Sequence, residues 1–159
     1  MQSKPNYITP NGLQRLKERY HHLMNEERPK IVEIVSWAAG NGDRSENGDY
    51  IYGRKKMREI DRELSWLARR LKAARVVNPA EIKDRSKIWF GAKVVIADEE
   101  DNQRTVILVG EDEADASQGL ISWQSPLARA LRGGSLGDLR RVRLPSGEKE
   151  WEVVEILYP

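Results

Sequence analysis

Gly42-Asp43-Arg44-Ser45-Glu46-Asn47-Gly48-Asp49-Tyr50 is a short acidic stretch between two long segments of heptad-like apolar spacing. Ahead of it, Leu13, Leu16, Tyr20 and Leu23 step by threes and fours, and Ile31, Ile34, Val35 and Ala38 resume the stripe after a break in phase. Behind it, Tyr50, Gly53, Met57, Ile60, Leu64, Leu67, Leu71 and Ala74 alternate threes and fours without a miss, an a/d seam over about three heptads. Two such helices joined by so short a turn must run antiparallel. The pattern therefore predicts an α-helical coiled-coil hairpin with an acidic tip at 42–49.

Thr9-Pro10 reads as the helix start, with Thr as N-cap and Pro at the first helical position. The first helix, over 10–39, would be roughly 45 Å long at the α-helical rise. Pro29 falls inside it and should remove one backbone hydrogen bond and kink it. Val76-Val77-Asn78-Pro79 ends the arm, so a first domain is expected over 1–78.

From Ile88 onward the apolar period shortens to two, or to brief apolar runs. Strands are expected at Ile88–Phe90, Lys93–Ala97, Arg104–Val109, Gly119–Trp123, Leu139–Leu144 and Trp151–Leu157, with turns at Asp98–Asn102, Glu111–Ser117 and Pro145–Gly147. Ser125 to Leu131 reads as one short helix, capped by Ser with Pro at its first position. An antiparallel sheet packed on that helix makes residues 79–159 an α+β domain.

Composition narrows the function classes. Cysteine is absent, which excludes disulfides, zinc–thiolate sites and thiol nucleophiles and fits a cytoplasmic protein. No apolar run is long enough to span a bilayer, and residues 1–10 lack the basic and apolar regions of a secretory signal. The net charge of +2 conceals an asymmetry. Residues 1–77 carry 16 Lys+Arg against 10 Asp+Glu, and residues 78–159 carry 11 against 15. The basic half and the acidic half are expected to face different partners.

Asp43 and Glu46, three residues apart on the loop and the first turn of the second helix, could present oxygen ligands to one hard cation. Two carboxylates are too few for Mg²⁺, which takes six oxygens and completes its shell with water and substrate phosphates. The tip therefore reads as half of a metal site whose other half belongs to a partner. The alternative is structural: acids favour a helix N-terminus, and Ser45 or Asp43 could serve as its N-cap. Arg54, Arg58 and Arg62 recur at every fourth position of the second helix, flanked by Lys55 and Lys56, a stripe that suits a nucleic-acid backbone or a solvated face in which Lys55 meets Glu59. His21 and His22 are adjacent and point about 100° apart on a helix, so they cannot share a metal. The tryptophans Trp37, Trp66, Trp89, Trp123 and Trp151 read as core or junction residues.

The tip and its flanks resemble the Gre family of bacterial transcript-cleavage factors, and within it the GreB type. The matching stretches are Asn25 to Pro29, Trp37-Ala38-Ala39, Gly42 to Asn47, Asp49-Tyr50, Arg58 to Arg62, and Ser125 to Leu131 before Gly137-Asp138. Arg44-Ser45 and the dense basic stretch 54–62 favour the GreB type. Gly48 departs from the pattern, which usually has alanine there.

The resemblance implies that the arm enters the secondary channel of a backtracked bacterial RNA polymerase while an FKBP-like C-terminal domain docks at the channel rim. Asp43 and Glu46 would help hold a Mg²⁺ shared with the polymerase, the free protein carrying no cofactor, with Ser45, Asn47 and Asp49 as auxiliary tip residues. Arg54, Lys55, Lys56, Arg58 and Arg62 would hold the displaced RNA 3′ segment by its phosphates. Ser122, Ser125, Pro126 and Leu127 are the docking candidates, with capping and packing of the short helix as their alternative role. The protein would be a monomer with no membrane partner, stimulating cleavage by the polymerase rather than acting as an enzyme alone. Two other readings stand beside it: a channel ligand that does not promote cleavage, and a peptidyl-prolyl isomerase or chaperone.

Overall fold

A computed structural model describes residues 5–41 and 47–159. The chain forms two compact units, one of Leu13–Ala73 and the other of Ala74–Pro159 joined by the N-terminal residues through Gly12. The helical unit thus lies within the 1–78 span expected for the arm, while residues through Gly12 group with the second unit. Strand β1 (Asn6–Ile8), too short to register as an apolar period, pairs in parallel with β2 (Ala74–Val76), which directly follows the second long helix.

The helical unit is built from α1 (Pro10–His22), a π-helical turn at Leu23–Glu27, α2 (Arg28–Ala39) and α3 (Gly48–Ala73). Thr9 caps the start as its spacing implies, its Oγ1 accepting from Gly12 N at 3.1 Å. The strain of Pro29 is met by widening the turn before it: the Arg28 N–H reaches back five residues to the Leu23 carbonyl. That insertion explains the phase break. On an uninterrupted α-helix Leu23 and Ile31 would stand roughly 80° apart; one extra residue in the turn reduces this to roughly 20°. Both are buried on the same side. Cross-helix partners show that the hairpin is antiparallel, with Arg19 facing Glu63, Arg28 facing Asp61, and Ala38 facing Asn47. The seam buries Leu16, Leu23, Ile31 and Ala38 against Gly53, Ile60, Leu64 and Leu67.

In the other unit, a five-stranded sheet runs in the order β5-β4-β3-β7-β6, formed by β3 (Lys93–Ala97), β4 (Gln103–Val109), β5 (Leu120–Ser122), β6 (Leu139–Leu144) and β7 (Gly147–Leu157). It is mixed rather than antiparallel, because β4 and β5 pair in parallel. The acidic stretch read as a turn is a crossover: two 3₁₀ turns, Glu111–Glu113 and Ala116–Gln118, carry the chain back to run beside β4 from Ile107. Gly119, with φ 74°, completes that return.

Ile88–Phe90 is not a ladder strand either. Ile88 exchanges backbone bonds only with Gly133 and Gly134, and Gly91 at φ 88° turns the chain away. The core under α4 (Pro126–Leu131) comprises Ile88, Val94, Ile96, Val106, Leu108, Leu131, Val142, Trp151 and Val153, among others. Beside the core, Tyr7 of β1 meets Trp123 edge-on at 4.8 Å and Phe90 at 6.2 Å.

Candidate functional site

The hairpin's closed end is organised by one side chain. Asn47 Oδ1 accepts from Tyr50 N at 3.1 Å, the N-cap bond of α3, while its Nδ2 donates to the Ala38 carbonyl at 2.7 Å, capping the last turn of α2. One amide thus satisfies orphan groups on both helices and pins their ends together. The capping role weighed for Ser45 or Asp43 is therefore already filled. The sequence signal was there, since asparagine is among the strongest N-cap residues, but its second bond depends on the fold. Asp43, Ser45 and Glu46, with Gly42 and Arg44, lie outside the described residues.

Asp49 is exposed in the first turn of α3, where the helix dipole favours a carboxylate. Gly48 precedes it, and a Cβ built there would meet nothing within 4 Å. Gly48→Ala is accordingly expected to raise stability by about 0.4–1 kcal/mol, chiefly by restricting the unfolded chain, as measured by urea denaturation.

Arg54, Lys55, Arg58 and Arg62 are all exposed along α3, and Lys56 is half-buried. Arg58 and Arg62 line a shallow groove with Asp61, Ser65 and Arg69. Glu59 pairs with Lys56 at 3.8 Å, not with Lys55 as the spacing allowed. Asp61 is held by Arg28 across the hairpin at 3.0 Å.

Farther along, Arg19 donates from Nε and Nη2 to both carboxylate oxygens of Glu63, at 2.8 and 3.1 Å. That fork lowers the Glu63 pKa, burial opposing it, and raises that of Arg19. A depressed carboxylate stabilises the fold above its ordinary range near 4.3, and the contribution is lost as pH falls through the folded value. Arg19 stays charged throughout. Both side chains are well exposed, so Glu63→Gln should cost no more than about 1 kcal/mol at pH 7. Urea melts of variant and wild type should converge as the pH falls through the lowered Glu63 value.

The docking candidates are local structural residues as well. Ser122 Oγ accepts from Gln124 N at 3.2 Å, and Ser125 Oγ caps α4 through Ala128 N at 3.3 Å. Pro126 is exposed at the first helical position, and Leu127 is partly buried against the core. The reading of the five tryptophans as core or junction residues needs correction for three of them. Trp151 is buried, but Trp37, Trp66 and Trp89 are 63%, 44% and 47% exposed.

Among the described residues no three His, Cys, Asp or Glu side chains gather to hold a metal ion. No helix among them is long and apolar enough to cross a membrane.

Residues 6–76 match the family described as transcription elongation factor, N-terminal, and residues 83–158 match its GreA/GreB C-terminal counterpart. The chain belongs to the GreA/GreB family of transcription elongation factors. Transcription elongation factor GreB of Neisseria meningitidis serogroup B is 50% identical over 153 residues, 96% of this chain and 94% of its own. Transcription elongation factor GreA of Verminephrobacter eiseniae is 40% identical over 95% of this chain and 96% of its own. This Gre chain is thus nearer to the GreB-named relative of the two. The crystal structure of GreA factor homolog 1 of Thermus thermophilus aligns over 97% of this chain and 99% of its own, at 22% identity and a TM-score of 0.45.

Proposed function

We propose that this elongation factor inserts its helical hairpin, as a coiled-coil arm, into the secondary channel of a backtracked bacterial RNA polymerase and stimulates the polymerase's own cleavage of the displaced RNA 3′ end. The observation that carries the reading is the Asn47 tie between α2 and α3. It holds the end of α2 against the start of α3 at the extremity of a narrow two-helix rod. The C-terminal unit, taken as FKBP-like, would dock at the channel rim through Ser122, Ser125, Pro126 and Leu127. The protein works in the cytoplasm as a monomer and is not itself the hydrolase.

Asp43 and Glu46 are the residues that would hold a Mg²⁺ shared with the polymerase, and their two carboxylates suit a hard cation that takes its remaining oxygens elsewhere. Bound there, the ion would supply charge stabilisation for hydrolysis of an RNA phosphodiester. The chain's own contribution is position: the cap at Asn47 joins the ends of α2 and α3, and the α3 cations would hold the RNA phosphates.

The test is cleavage of 3′-labelled RNA in a stalled, backtracked bacterial elongation complex with Mg²⁺, with and without the protein. Shortened transcripts appearing only with the protein support the reading; unshortened transcripts despite saturating binding overturn it. The cationic stretch gives its own prediction. Replacing Arg54, Lys55 and Lys56 by Gln should weaken engagement at every RNA sequence and reduce its log–log salt slope by roughly 2, at about 0.7 per phosphate contact for single strands. An unchanged slope in a salt titration would remove these residues from the RNA contact.

A further inference from the structure

We infer that Trp37 and Tyr52 form an aromatic cleft, on one flank of the hairpin near its closed end, that stacks an unpaired base of the displaced RNA. The inference rests on the proposed function for the presence of RNA at this end of the arm. It adds a base-stacking contact to the phosphate contacts already assigned there.

The two rings are 63% and 59% exposed, unusual for side chains whose apolar area drives burial. Their placement follows from the seam. Trp37 stands one residue before buried Ala38, and Tyr52 one residue before buried Gly53. In two right-handed helices running antiparallel, stepping back about 100° from the seam leads to the same flank on both. The Arg19–Glu63 bridge marks that flank, since Glu63 likewise precedes buried Leu64.

Their level along the rod also agrees. A Cβ on Gly53 would lie 2.7 Å from Val35 Cγ2, so residue 35 lies opposite residue 53 and Trp37 falls opposite positions 51 and 52. Half-exposed Ile34, with Cγ2 at 3.7 Å from that same point and one turn before Trp37, adds apolar surface beside the two rings' helices.

The occupant is chosen by chemistry. Every base offers a π-face to an aromatic platform, whatever its hydrogen-bonding edge. Exposed Lys55 lies one turn from Tyr52, at the next position on the same face, where the phosphate attached to a stacked base would pass. Glu59, one turn farther, is neutralised by Lys56. Exposed Glu33 and Asp49, one turn from Trp37 and Tyr52 respectively, are matched in number by the exposed cations Lys30 and Lys55.

The experiment compares Trp37→Ala, Tyr52→Ala and Trp37→Phe with wild type on two backtracked complexes. One carries natural RNA, and the other carries abasic nucleotides in the extruded segment; the readout is the protein concentration giving half-maximal cleavage. Each alanine variant is expected to need roughly 10-fold more protein on natural RNA, the lower range for one base–aromatic stack, with Trp37→Phe close to wild type. On abasic RNA the variants and wild type should coincide, because no base remains to stack. Alanine variants equal to wild type on natural RNA would overturn the cleft. A loss that persists on abasic RNA would assign the rings to a polymerase protein surface instead. Wild type that fails to stimulate cleavage on either complex would overturn the proposed function itself and the cleft with it.

Discussion

Asp43→Asn and Glu46→Gln should each lower the rate of stimulated RNA cleavage by ~100-fold or more, the loss usual on deleting a preorganised electrostatic group at a reacting centre. Affinity for the backtracked complex should be unchanged. The split follows from the chemistry of the change. Both substitutions keep side-chain size and remove a single negative charge, and the α3 cap and the tie to Ala38 are both made by Asn47. A structural role in capping would therefore leave cleavage intact and show up in stability instead. The double variant should be no worse than the worse single one, since two groups serving one ion act as a unit. The measurement is single-turnover cleavage at saturating protein, with binding read separately by displacement of a labelled wild-type copy. Wild-type rates in both variants would return the two acids to a purely local role.

What the sequence disclosed tracks the range of the interactions involved. The α3 seam was legible because each buried residue from Gly53 to Leu67 is specified by neighbours three and four positions away. The caps at Thr9 and Ser125 were legible for the same reason, a side chain bonding a backbone N–H three residues on. Strands β3 and β6 also fall where the alternation placed them. Failures came where distant segments decide. The crossover between β4 and β5 looks like a hairpin turn because its acidic, polar composition suits both, and only the pairing of Ile107 with Leu120 makes the sheet mixed. Strand β1 exists because Tyr7 finds Trp123 and Phe90, residues more than eighty positions away. Pro29 was correctly seen as a disruption, but its resolution as a π-helical turn depends on keeping Leu23 and Ile31 in one seam.

The same distinction governs the candidate site. Charged residues on α3 could be assigned to a solvent face from periodicity alone, and Arg54, Lys55, Arg58 and Arg62 lie there. Which cations remain available to a ligand could not be read in the same way, because cross-helix pairs such as Arg28–Asp61 require the register of the hairpin. Exposed aromatics were hidden for a further reason. Tryptophan is ordinarily taken as interior, and only the position of Trp37 one step off the seam reveals that its ring faces solvent.

Leu131→Ala should destabilise the C-terminal unit by about 2–5 kcal/mol, the range for truncating a fully buried leucine where the site cannot collapse. Collapse is prevented on every side. Leu131 is wholly buried, its neighbours in the core come from several strands, and α4 is held at both ends. Ser125 caps its start, while Arg140 of β6 donates from Nε to the Ala130 carbonyl at 2.6 Å and from Nη2 to the Arg132 carbonyl at 3.2 Å. With both ends fixed, the helix cannot slide inward to fill the space left by the missing carbons. In urea the midpoint of this unit should fall by roughly 1–2 M, given the denaturant dependence of small domains. Buried Trp151 lies in the same core and reports that transition by fluorescence. Because α4 also carries Pro126 and Leu127, the variant bears on docking: at low temperature, where it remains folded, polymerase affinity should stay near the wild-type value if exposed Pro126 and half-buried Leu127 make the contact. A midpoint shift of only a few tenths molar would mean that α4 does relax inward, and that its cap at Ser125 and its Arg140 anchor yield more readily than their bonds imply.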